Sequence, residues 1–139
     1  MFRRVLFAHD ASPAAEKTMP YLEHLARAEK AELLILHVYH TPEQYSGTKG
    51  YERLVKSLED VGQAVVEDFV EYLGADGFNA RGLVRSGEPA RVILETAREE
   101  KVTLIVLGTR GPASMKEMLL GDVSTEVLRY AHCPVLLVP

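Results

Sequence analysis

The chain has 139 residues, 47% hydrophobic and 26% charged, the length and composition of one globular domain (1–139) with a core of its own. Its net charge of −4 argues against general nucleic-acid binding, which needs a basic face, and is too mild to indicate a substrate class. The single cysteine, Cys133, rules out an intramolecular disulfide, no apolar run reaches the length of a membrane span, and the opening run is too short for a signal peptide, so the expected location is cytoplasmic.

Taken in order, Val5-Leu6-Phe7-Ala8 reads as a buried strand over 4–9, closed by Asp10-Ala11-Ser12-Pro13. Ser12 is the expected N-cap of a helix with Pro13 at its first position and Ala15, Met19, Leu22, Leu25 and Ala26 on one face. Pro20 falls inside that pattern, so the helix either bends there or restarts near Thr18. Leu33-Leu34-Ile35-Leu36-His37-Val38 is nearly continuous apolar sequence, the mark of a strand covered on both faces. A polar loop over 41–50 precedes a long helix over 51–73, with Leu54, Leu58, Val61, Val65, Phe69 and Tyr72 as its expected core stripe. The segment 79–85 is a weaker, more polar strand suited to a sheet edge. Gly87-Glu88-Pro89 turns into a helix with Ala90, Ile93, Leu94 and Ala97 inward, and 102–107 is the second strongly apolar strand. A glycine-rich loop, a helix over about 123–131 and a terminal strand over 133–139 complete the chain.

The order β-α-β-α-β-α-β-α-β argues for a three-layer α/β sandwich: a five-stranded, mainly parallel sheet with helices on both faces. Ligands of such sheets sit beyond the carboxyl ends of the strands, where strand order reverses. The ends that could meet there are His9-Asp10, Val38-Tyr39 and Leu107-Gly108. Beyond Leu107 the spacing is Gly108-x-x-Gly111, nine residues, Gly121. Strand, glycine loop and helix start together can place backbone N–H groups around an anion. The same glycines can equally serve as turns, and the spacing is neither a Walker A loop nor the dinucleotide fingerprint. Asp10 likewise either caps a turn or holds a ligand. His9 and His37 flank the same edge and read as core or rim residues. The five histidines lack zinc-like spacing, Cys133 is isolated from them, and no nucleophile–base pair stands out, so neither a metal site nor a catalytic residue is assigned.

The whole chain resembles the universal stress protein family. The resemblance is carried by Val5 through Asp10-Ala11-Ser12, Leu36-His37-Val38, Gly87-Glu88-Pro89-Ala90, the Gly108/Gly111/Gly121 spacing followed by Val123-Ser124, and Cys133 through Val138. It implies strand order 3-2-1-4-5 and, in the ATP-binding branch, a nucleotide site. Asp10 and Val38 would then contact adenosine. Leu107, Gly108, Arg110 and Gly111 would line the ribose and phosphate path, and Gly121, Asp122, Val123 and Ser124 would close it.

Asp122 departs from that pattern, which has Ser or Thr at this position. An aspartate caps a helix well, but it would compete for the amides that should receive phosphate, and would repel the phosphate itself. Two unit charges ~4 Å apart interact by ~4 kcal/mol at an effective dielectric near 20, about half of a micromolar binding energy. Arg110 would offset part of this, and Mg²⁺ or Mn²⁺ carried by the nucleotide would reverse its sign.

The expected function is therefore binding of ATP or AMP as a regulatory ligand, with little or no hydrolysis. The alternative is a nucleotide-free dimeric stress or adaptor protein acting through its surfaces; an adenylyl-transfer enzyme has only the fold class in its favour. The apolar terminal strand suggests an edge that pairs with a second copy, and the resemblance implies a homodimer through it.

Overall fold

Five strands form one sheet in the order β3-β2-β1-β4-β5, every pairing parallel. They are β1 (Arg4–His9), β2 (Glu32–Tyr39), β3 (Asn79–Ser86), β4 (Leu104–Gly108) and β5 (Val135–Val138). The helices are α1 (Met19–Glu29), α2 (Tyr51–Ala75), α3 (Pro89–Glu99) and α4 (Asp122–Tyr130), with short 3-10 segments at Pro13–Thr18 and Glu43–Tyr45. The computed structural model describes residues 1–9, 13–108 and 122–139, and the side chains of all of these except 9, 13–15 and 122. The strand order is the one the family resemblance implied. The polar third strand and the terminal strand both lie at edges, as their composition suggested.

Strand alternation divides the core into two layers. Val5, Phe7, Leu33, Ile35, Leu104 and Val106 point to one face, where they bury Leu22 and Ala26 of α1 and Val66 and Leu73 of α2. Leu6, Leu34, Leu36, Ile105 and Leu107 point to the other, against Ala90, Ile93 and Ala97 of α3 and Val127 of α4. Two helices per face follow from right-handed crossovers that run one way from β1 to β3 and then reverse to β4 and β5. The reversal lies between β1 and β4, which are neighbours in register: Val5 pairs with Leu104 and Ala8 with Leu107.

The two prolines of the first helical region separate into two segments. A 3-10 segment opens at Pro13 and ends at Thr18, which is fully buried, and α1 restarts at Met19 with Pro20 in its first turn. A first-turn N–H has no helical partner, so the proline costs nothing there.

α2 departs from its expected core stripe. It seats Gly62, Val66 and Leu73 on the sheet, and leaves Leu54 (44%), Val61 (58%) and Tyr72 (56%) exposed. Two glycines decide this docking. A Cβ on Gly62 of α2 would lie 2.6 Å from Cδ2 of His37, and a Cβ on Gly82 of β3 would collide with Cγ1 of Val66. Helix and strand approach where both lack side-chain bulk. Phe69 closes the layer edge-to-face on Phe7, ring centroids 5.8 Å apart.

The polar outer strand is tied down by charge. Arg81 bonds Glu100 at 2.7 Å and approaches Glu32 at 3.6 Å, while Arg4 bonds Glu32 at 3.1 Å and the Glu100 carbonyl at 2.7 Å. Arg85 bonds Glu99 at 2.7 Å and the Thr96 hydroxyl at 3.0 Å. Arg4, Glu32, Arg81 and Glu100 thereby link β1, β2, β3 and the end of α3 toward the amino ends of the strands, and Arg85 ties the carboxyl end of β3 to α3.

Candidate functional site

The carboxyl edge of the sheet gathers the expected site residues that the structure describes. β1 ends at His9, opposite His37 of β2; β2 runs on through Val38 and Tyr39; β4 ends at Gly108, opposite Val138. α4 connects the carboxyl end of β4 to the amino end of β5, so its first turn, Asp122 to Thr125, returns to this edge. The amides at such a helix start carry the partial positive charge of a helix N-terminus.

Three expected contacts share one apolar layer. Val38 (half-buried), Leu107 (buried) and Val123 (half-buried) come from β2, β4 and α4 and all face the α3/α4 side of the sheet. Ser124 follows, buried at the start of α4. Gly108 ends its strand with no side chain above the edge. The arrangement offers an apolar floor, a strand end without a Cβ, and a helix N-terminus, which suits an apolar ring joined to an anion. Asp10, Arg110, Gly111 and Gly121 lie outside the described residues, as does the side chain of Asp122, whose backbone opens α4.

Gly87 contributes to this edge in a way its motif alone did not convey. Its N–H donates to the Tyr39 carbonyl at 3.0 Å, which fastens the β3–α3 turn to the end of β2 beside Val38. Its φ of +141° and the 2.8 Å that a Cβ would leave to Cγ2 of Val92 both require glycine. Glu88 then caps α3, accepting from the Arg91 N–H at 3.2 Å, with Pro89 in the first turn.

His37 also acquires a role that sequence did not reveal. It is buried on the α2 side of β2, where Gly62 gives it room. The position of α2 and the end of β2 are thus coupled through one side chain, one residue before Val38.

Two depressions lie elsewhere. One of about 530 Å³ sits in the loop leading into α2, lined by residues 47–53 with Lys49 and Arg53 among them. The other, about 370 Å³, lies outside α3 and α4 and is lined by Arg91, Leu94, Arg98 and Tyr130 among others. No expected nucleotide contact lines either one. Among the described residues no group of three His, Cys, Asp or Glu side chains could hold a metal ion, and none of their helices is long and apolar enough to cross a membrane. Burial pushes the Cys133 thiol up, an effect partly offset by a hydrogen bond with the Ile105 backbone, so it is not an activated thiolate.

Comparison with known proteins follows the same lines. The family model described as "Universal stress protein family" matches residues 1–139. Universal stress protein YxiE of Bacillus subtilis is 34% identical, over 99% of both chains. A universal stress protein of Thermus aquaticus is 35% identical, again over 99% of both. The solved structure of protein MJ0577 superposes with a TM-score of 0.87 at 28% identity, covering 99% of this chain and 96% of that one. Two further structures share the fold. One is a universal stress protein in complex with cAMP (TM-score 0.74, 24% identical, 99% and 97% covered). The other is an Arabidopsis thaliana family protein with AMP bound (TM-score 0.73, 22% identical, 98% and 90% covered).

Proposed function

Because the chain belongs to the universal stress protein family, we propose that it binds an adenine nucleotide, ATP or AMP, as a regulatory ligand at the carboxyl edge of its sheet. The observation that carries this reading is the reversal of strand order between β1 and β4, with Gly108 at the strand end and the first turn of α4 returning to the same edge. The structures with cAMP and AMP bound support the ligand class.

In this reading the half-buried Val38 and buried Leu107 form the floor for the ring, and the backbone of Val38 contacts the adenosine alongside Asp10. Gly108 lets ribose or phosphate pass close to the chain, continuing along Arg110 and Gly111. The amides of Val123 and Ser124 and the Ser124 hydroxyl close the phosphate path after Gly121. The described residues fit such a group: the floor is apolar and the helix end is electropositive. Asp122 would hold a nucleotide-borne Mg²⁺ or Mn²⁺, whose charge would offset that of the phosphates. With no catalytic base assigned, bound nucleotide is turned over slowly or not at all.

A second reading is kept alive by one observation: Asp122 is the first residue of α4. A carboxylate in the first turn of a helix is itself favoured by the partial positive charge there, and would compete with a phosphate for it. The protein would then act without nucleotide, as a dimeric stress or adaptor protein.

Thermal unfolding with ATP, ADP, AMP and cyclic nucleotides, with and without Mg²⁺, separates the two. A ligand at a hundred times its dissociation constant adds ~2.7 kcal/mol, which for 139 residues raises the midpoint by about 9 °C. No shift with any of them favours the nucleotide-free reading.

A further inference from the structure

The phosphate end of the candidate site combines two electrostatic terms of different reach. Val38, Leu107 and Gly108 on the strands, and Val123 and Ser124 in the first turn of α4, are all neutral. Asp122, the residue that opens α4, is not. The next charges on that helix are Glu126, one turn on and exposed, and Arg129 in the last turn. Attraction to helix-terminal amides fades within the first turn, so it serves the one phosphate that lies against them. Repulsion from a carboxylate falls only as the inverse of distance and acts on every further charge the ligand carries. A short phosphate chain collects the attraction; each added phosphate collects mainly repulsion.

We infer that Asp122 is a specificity-determining residue, which makes the site, free of divalent metal, prefer AMP to ATP. This rests on the nucleotide reading above and names which member of that class the site takes. ATP carries roughly two more negative charges than AMP near neutral pH, and at about 8 Å and an effective dielectric near 60 two charges shift an affinity ratio by roughly tenfold. Mg²⁺ on the triphosphate offsets its charge, so the penalty on ATP shrinks when the metal is present. Asp10, Arg110, Lys116 and Glu117 add further charges in sequence. They are common to the wild type and to any variant at position 122, so a comparison between the two isolates Asp122.

Calorimetric titration of the full chain with AMP and with ATP tests this, using wild type, Asp122→Asn and Asp122→Ser. The buffer contains EDTA at low ionic strength, because the Debye length is about 30 Å at 0.01 M salt and about 8 Å at 0.15 M. Wild type is expected to bind AMP more tightly than ATP. Both variants should bind each nucleotide more tightly, with ATP gaining roughly tenfold more than AMP. Raising the salt, or replacing EDTA with Mg²⁺, should narrow the wild-type preference more than that of either variant. A helix cap with no part in selectivity would move both affinities together and leave their ratio, and its salt dependence, unchanged. An ATP-to-AMP ratio equal in all three chains, or a wild type that prefers ATP in EDTA, overturns the inference and leaves nucleotide binding standing. Binding of neither nucleotide by any of the three chains overturns the nucleotide reading and this inference with it.

Discussion

α2 contains two glycines, Gly62 and Gly74, and the same substitution at each should shift stability in opposite directions. In an unconstrained helix, alanine is favoured over glycine by ~1 kcal/mol. At Gly74 a Cβ meets nothing within 4 Å, so Gly74→Ala keeps most of that gain, roughly 0.5–1 kcal/mol. At Gly62 the new Cβ lands 2.6 Å from Cδ2 of His37 and 3.1 Å from Cγ1 of Val84. Carbon atoms pack at about 3.5–4.0 Å, so about 1 Å must be found by moving a buried ring or lifting the helix. Overpacking of this kind costs typically 1–3 kcal/mol. It outweighs the propensity gain, leaving a net loss of up to about 2 kcal/mol. With an unfolding entropy of about 2.1 cal/mol/K per residue over 139 residues, 1 kcal/mol corresponds to roughly 3.4 °C. Gly74→Ala should therefore raise the midpoint by about 2–3 °C, and Gly62→Ala should lower it by up to about 7 °C. Gly62→Ala should also weaken nucleotide binding, since His37 sits one residue before Val38; Gly74→Ala should not. Melting curves by circular dichroism, with nucleotide titration of both variants, check this. A Gly62→Ala midpoint at or above that of Gly74→Ala would show that α2 lifts off β2 without cost and would refute the coupling.

Replacing Asp122 with Ser should tighten ATP binding, by tens-fold or more in EDTA and by less with Mg²⁺, since up to ~4 kcal/mol of repulsion is removed; equal affinity by calorimetry in all four combinations would show that Asp122 has no part in binding. The Arg81→Met variant should lose stability in a pH-dependent way. The hydrogen bond from Arg81 holds the Glu100 carboxyl below its usual range, against an opposing push from burial. A carboxylate depressed in the folded state contributes stability above its unfolded pKa and loses it as pH falls through the folded value. The gap between wild-type and variant midpoints should thus be widest above about pH 5 and close toward acid; a gap constant down to pH 3 would assign the loss to packing. Light scattering should report twice the 15.5 kDa chain mass, because the edge strand β5 is expected to pair with a second copy; a monomer at high concentration counts against that pairing.

Much of the architecture was legible because each element carried its own signal. The nearly continuous apolar run from Leu33 to Val38 suggested a strand covered on both faces, and it is the buried neighbour of β1. The arginines and glycine of 79–85 suited an edge, and Arg81 and Arg85 now bond to α3 rather than to a further strand. At Pro20 local rules allowed two outcomes, and the buried Thr18 ahead of it marks the restart. In the candidate site, Val38, Leu107 and Val123 were named from motifs, and their shared apolar layer arises only when β2, β4 and α4 converge. The bond from Gly87 to Tyr39 spans 48 positions in sequence, counted as 87 minus 39, and no local pattern encodes it.

The helix over 51–73 is where expectation and structure differ most, and the cause is physical. Two apolar stripes run along it, and helical spacing alone does not say which one meets the sheet. By itself the sequence determined the element types, their order and the family, because these depend on short-range periodicity, turn chemistry and motif spacing. Only the tertiary structure decided which face of α2 is buried. That choice rests on how closely backbones can approach at Gly62 and Gly82, a steric relation between segments far apart in sequence. The other stripe was left outside, with Leu54, Val61 and Tyr72 exposed.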